Sequence, residues 1–198
     1  MIPAHAFGGS AYRVGGRGAF SAHRAWIVVS PDPAPDTGRD LEGAETVRAV
    51  LEAPPPGARH STAGELGATL APVVGAHCST CEGLLWRRCT ADTHESGHCP
   101  ACDDGGETPC ECTPPRNRVA LIRGERYGAA MLVVLRELLH IAGAMAPVSA
   151  WVSRCAADAG RRVTVLRAGL LVVDIGGWRY ALAPMVPHGS DDVVEVTL

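Results

Sequence analysis

Lysine is absent. All 18 basic residues of this 198-residue chain are arginine, against 21 acidic residues and a net charge of -3. An Arg bias favours bidentate phosphate contacts, but the negative balance argues against a general polyanion binder. With so much Ala, Gly and Pro alongside, the bias reads first as the signature of a GC-rich genome. Long apolar runs are missing too. The longest, residues 129–135, stops at Arg136, far short of the roughly 18 residues a membrane span needs, so a membrane partner is not expected. Residues 1–9 show no cationic start followed by an apolar core, which sets the expectation of a reducing, cytoplasmic location. Gly15-Gly-Arg-Gly18 lacks the lysine of a phosphate loop, and Ser10, Ser21 and Ser30 lack the glycine frame of a nucleophile elbow. Glu137-Leu-Leu-His140 has arginine where a zinc peptidase carries its first histidine. That motif therefore reads as the solvated face of a helix, formed by Arg136, Glu137 and His140.

Cysteine, by contrast, is concentrated. Seven of eight fall in residues 77–115: Cys78, Cys81, Cys89, Cys99, Cys102, Cys110 and Cys112, with Cys155 apart. Cys78-Ser-Thr-Cys81 and Cys99-Pro-Ala-Cys102 have the spacing that lets two thiolates of one tight turn reach the same tetrahedral ion. Cys110-Glu-Cys112 is a closer clip, and His94 and His98 lie between Cys89 and Cys99. In a reducing compartment thiolates on zinc are expected rather than disulfides. The ligand count suggests two Zn2+ ions. One is paired with the outer cysteines Cys78, Cys81, Cys110 and Cys112. The other takes Cys89, Cys99, Cys102 and a histidine, His98 by its adjacency to Cys99, with His94 as the alternative. Both sets are large enough to close the coordination shell, which makes the expected zinc structural. Cys155 reads as a small buried or edge residue.

The segment resembles the cysteine-rich zinc module of DnaJ co-chaperones, whose C-x-x-C-x-G knuckles pair outer with outer and inner with inner. Cys78 to Gly83 reads Cys-Ser-Thr-Cys-Glu-Gly, and Cys99 to Gly105 is a looser copy; the other two knuckles are reduced to Cys89 and to Cys110 with Cys112. No His-Pro-Asp tripeptide occurs, so the resemblance carries no J-domain and no co-chaperone role.

Around the segment the pattern is α+β: an antiparallel sheet with one or two packed helices, interrupted by a small two-zinc module. Residues 1–75 and 116–198 are expected to form the two halves of the domain and 76–115 the module. Residues 25–29 read as a buried strand that the prolines of 31–38 end in a loop. Residues 41–52 have helical spacing up to Pro54. Thr62-Ala-Gly-Glu65 is a capping box opening a helix expected to stop before Pro72. Residues 119–123 make a short strand. A helix is expected over 127–145, with Met131, Val134, Leu135, Leu138, Ala142 and Met145 as its apolar stripe. Residues 148–153, 163–167, 170–174 and 178–182 read as strands in two tight hairpins, one turning at Gly176-Gly177, with a last strand in 193–198.

The two ends resemble a repeat of a bacterial DNA sliding clamp. The helix carries Tyr127, Leu132, Leu135 and Leu138; a strand closes in Tyr180-Ala-Leu-Ala-Pro184-Met185; and Ser21-Ala-His-Arg-Ala-Trp-Ile-Val-Val29 resembles the clamp's Asp-Gly-His-Arg-Leu strand. There is room for about one repeat plus the zinc insert, so the resemblance implies kinship of fold without ring formation. Arg116, Arg118, Arg123 and Arg126, beside the module, are the candidate nucleic-acid contacts, and Trp86 is the surface candidate for a protein partner. The expectation is a zinc-binding, non-enzymatic interaction protein whose partner is a protein or a nucleic acid. A zinc-dependent enzyme such as a hydrolase is the alternative.

Overall fold

A computed structural model describes residues 10–14, 17–22, 26–33, 39–40, 53–81, 86–88, 107–153 and 169–198. The expected helix over 41–52 and strand over 163–167 lie outside these residues. Within them the chain is α+β, a mostly antiparallel sheet packed against two helices.

The main sheet has eight strands: β1 (Ser10–Val14), β2 (Arg17–Ala22), β3 (Trp26–Pro33), β4 (Arg39–Asp40), β5 (Arg59–Thr62), β10 (Pro147–Ser153), β11 (Leu170–Ile175) and β12 (Trp178–Leu182). Their spatial order is β4-β1-β2-β3-β12-β11-β10-β5. β3 pairs with β12, and β5 with β10, so strands from both sides of the cysteine segment meet in one sheet. Side chains alternate across the pleat. The row Ala150, Val173, Tyr180 and Val28 faces the helices, while Trp151, Val172, Ala181 and Ile27 lie buried on the other face. Burial on both faces explains why Leu170–Val173 is an unbroken apolar run. β11 and β12 turn at Gly176 (φ 58) and Gly177 (φ 90), the pair of left-handed residues a two-residue hairpin requires.

β3 runs further than the prolines suggested, through Pro31 to Pro33. Its ladder with β12 ends at Val29, opposite Arg179. Beyond that point, among the described residues, the strand has β2 on one side only, where a missing donor costs least.

Helix α1 (Ala63–Val74) opens on the expected capping box. Thr62 Oγ1 accepts from the Glu65 amide at 3.2 Å and Glu65 Oε2 from the Thr62 amide at 2.8 Å. Two further amides of the first turn, Ala63 and Gly64, donate to the carbonyls of Ala146 and Ala144. A Cβ on Gly64 would stand 3.2 Å from the Ala144 oxygen, so this close approach favours glycine. The helix does not stop before Pro72 but includes it. The lost donor falls in the last turn, and burial of Leu70, Val73 and Val74 holds that turn in place.

Helix α2 (Ala129–Ala142) is shorter than expected. Arg123 (φ 50) and Gly124 (φ 86) form a tight turn between β8 (Arg118–Ile122) and β9 (Glu125–Gly128), so Tyr127 is a strand residue. Its side chain is buried and its hydroxyl donates to the Gly169 carbonyl. Gly143 (φ 86) ends the helix. The buried face also differs from the expected stripe: Leu132, Val133, Leu135, Arg136, Glu137, Leu138 and Leu139 are inside, and Met145 is 83% exposed. α2 is covered by the sheet and by α1, so a wide face is buried instead of one narrow stripe. β13 (Asp192–Glu195) lies parallel to β8 in a three-stranded sheet with β9. β6 (Trp86–Arg88) and β7 (Glu107–Pro109) form a two-stranded ladder within the cysteine segment. Among the described residues no helix is long and apolar enough to cross a membrane.

Candidate metal centre

Four sulfurs converge from two turns. The chain leaves α1 at Gly75 (φ 70), whose amide donates to Ala71, and reaches the Cys78–Cys81 turn three residues later. The second turn follows β7, where the Thr113 amide donates to the Cys110 carbonyl at 2.9 Å; buried Pro114 then leads towards β8. The β6–β7 ladder closes the intervening loop, setting Trp86 opposite Pro109 and Arg88 opposite Glu107.

Cys78 Sγ lies 3.8 Å from Cys110 Sγ, and Cys81 Sγ lies 3.4 Å from Cys112 Sγ. All four sulfurs fall within 4.8 Å of one another. A zinc–sulfur bond of about 2.3 Å places the corners of an ideal tetrahedron about 3.8 Å apart. The cluster therefore has the size of a four-thiolate ion site. Cys81 and Cys110 are buried, and Cys78 and Cys112 are half-buried.

The four groups are not alike electrostatically. The backbone amides of Cys81 and Thr80 donate to the Cys78 sulfur and bring its pKa down to about 6. Burial, reinforced by the sulfurs of Cys81, Cys110 and Cys78, pushes the Cys112 thiol well up. Without metal, Cys78 is therefore expected to be the most readily ionised thiol of the four and Cys112 to keep its proton. Zinc binds thiolates, so it displaces a proton from Cys112 and almost none from Cys78. Zinc uptake by these four residues at neutral pH is therefore expected to release fewer protons than four neutral thiols would. Affinity should fall as pH drops through about 6, where protons compete for Cys78 as well. Calorimetric titration in buffers of different ionisation enthalpy, on Cys99→Ser/Cys102→Ser protein, counts these protons; release of all four would contradict the Cys78 assignment.

The remaining candidates are placed differently. Cys89, His94, His98, Cys99, Cys102 and Cys155 lie outside the described residues, as does the Trp86 side chain. The four arginines do not share one bare face. Arg118 Nε is 2.9 Å from Asp192 Oδ2, and Arg126 Nη1 is 2.7 Å from Asp191 Oδ2. The Asp191 carboxyl is held below its usual range by the His188 amide and by Arg126. Arg123 occupies the β8–β9 turn, with its guanidinium 3.3 Å from the Gly57 carbonyl. Arg116 is exposed.

The expected solvated face of α2 is overturned at two of its three residues. Arg136 is 5% and Glu137 6% exposed, and only His140 is at the surface. Arg136 Nε donates to Glu137 Oε1 at 2.6 Å, and Arg136 Nη1 to the Val74 carbonyl at 2.7 Å. Glu137 Oε2 lies 2.8 Å from His77 Nδ1, and the His77 ring stacks on His140 at 3.6 Å. A sequence signal existed: Arg136 is four residues after Leu132 and three before Leu139, which places it on their helix face. Residue type alone points the other way, since charged side chains are mostly exposed.

No family model, curated protein or solved structure matches the chain, so the likeness to DnaJ zinc modules and to sliding clamps rests on the quoted residues alone.

Proposed function

We propose that this chain is a zinc-binding, non-enzymatic interaction protein in which a four-thiolate zinc fastens residues 76–115 as a module between the two halves of an α+β domain. The observation that carries the reading is the approach of Cys78, Cys81, Cys110 and Cys112 to within 4.8 Å of one another. A catalytic zinc keeps a position open for water; four thiolates leave none, which weighs against a zinc-dependent hydrolase. A second Zn2+ is assigned to Cys89, Cys99, Cys102 and His98, with His94 as the alternative. The β6–β7 ladder supports this by bringing the two ends of the segment that holds these ligands side by side.

For the partner, a protein is favoured over nucleic acid. Arg118 and Arg126 already face carboxylates, and a phosphate would have to displace them. Such a protein suits a reducing compartment, where its thiolates persist.

Metal analysis of protein purified under reducing, chelator-free conditions tests this. About two zincs per chain are expected from the tetrahedral ligand count, falling by about one in Cys81→Ser and again in Cys99→Ser, and unchanged in Cys155→Ser. A metal-free preparation would overturn the reading.

A further inference from the structure

We infer that His77, Glu137 and Arg136 are positioning residues for the four-sulfur site, setting its affinity for zinc without touching the ion. The inference rests on the zinc reading above and concerns what holds the Cys78 turn in place.

His77 directly precedes Cys78. Its ring is fixed on two sides, by Glu137 Oε2 at Nδ1 (2.8 Å) and by His140 stacked at 3.6 Å with an interplanar angle of 6°. Glu137 is fixed in turn by Arg136 Nε, and Arg136 reaches back to the carbonyl of Val74, the last residue of α1. The link between α1 and the first knuckle is thus bonded to α2 at both its ends, Val74 and His77. The second knuckle leads into β8, which also packs on α2. One helix therefore references both pairs of sulfurs.

The fold alone gives little reason to keep this network. Taking a carboxylate and a guanidinium out of water is costly even when they pair. The pairing is also incomplete, because Arg136 Nη2 is buried without a hydrogen-bond partner among the described residues. What the network does is local: it fixes residues 74–77 before the metal arrives. A loop already ordered does not lose that conformational freedom on binding, and groups that orient metal ligands from behind typically alter affinity by about 10–100-fold.

The test is competition for zinc against a chromophoric chelator, using full-length Cys99→Ser/Cys102→Ser protein as the reference so that only the outer four cysteines are read. His77→Ala and Glu137→Gln are expected to weaken zinc binding by about 10–100-fold. His77→Asn, whose side-chain amide takes the place of Nδ1–H, should stay close to the reference. Val148→Ala removes a buried sheet residue of the same core; it should lower Tm and leave zinc affinity unchanged. Reference affinity in both His77→Ala and Glu137→Gln overturns the inference, as does an equal loss in Val148→Ala. Should Glu137→Gln not fold, His77→Ala decides, since that side chain is 24% exposed. If the reference itself takes up no zinc, the metal reading fails and this inference falls with it, an outcome distinct from unchanged affinity in the variants.

Discussion

Cys81→Ser, or treatment of the native chain with a strong chelator, is expected to unfold the cysteine segment while the eight-stranded sheet stays folded. The magnitudes decide this. Structural zinc in small peptides supplies apparent binding energies of about 10–16 kcal/mol at neutral pH, comparable to the whole stability of a domain at about 5–15 kcal/mol. The described part of the segment has little else to hold it. β6 and β7 form a ladder of three residue pairs, and an isolated two-stranded ladder is marginal in water. The sheet, by contrast, has its own core, with Leu171, Val173, Tyr180 and Leu182 almost wholly buried against the two helices. Amide exchange should show the amides of residues 78–81, 107–108 and 110–113 losing protection on chelation while those of β11 and β12 keep theirs. Equal loss throughout would mean that the segment and the sheet unfold as one unit.

The second large effect concerns the buried pair on α2. Glu137→Ala leaves the Arg136 guanidinium inside the protein without its carboxylate, a change that typically costs about 3–5 kcal/mol. Removing both charges should be far milder. The double substitution Arg136→Met/Glu137→Leu fills similar volume with apolar atoms, and such replacements are often neutral or stabilising by about 1–4 kcal/mol. Denaturant unfolding of zinc-saturated protein measures both. The expected order is double variant close to wild type and Glu137→Ala well below. If the double variant is as unstable as the single one, the pair stabilises the fold outright and the positioning role loses its physical motive.

Where local chemistry dictates local structure, the sequence was readable. The Thr62–Glu65 capping box, the Gly176-Gly177 turn and the two cysteine clips, Cys78 with Cys81 and Cys110 with Cys112, follow from residue types at fixed short spacings, whereas the meeting of the two clips joins residues 32 apart in the chain. What escaped the reading depends on distant partners. Nothing near Arg59–Thr62 announces that this stretch pairs with β10, or near Trp26 that β3 lies beside β12. Pro72 and Pro31 are breakers by local rule, yet burial of Val73 and Val74 in one case, and the end of the β12 ladder in the other, let the element continue past them. Charge alone places Arg136 and Glu137 in solvent. Their burial becomes intelligible once the α1 carbonyl at Val74 and the His77 ring are seen to satisfy them.

One zinc is expected to be bound by Cys78, Cys81, Cys110 and Cys112 together. X-ray absorption at the zinc edge, on Cys99→Ser/Cys102→Ser protein carrying about one equivalent of metal, reads the ligand shell directly. Four sulfurs at about 2.3 Å and no lighter ligand are expected. A shell containing oxygen or nitrogen, or protein that holds no zinc in reducing buffer, would contradict that assignment.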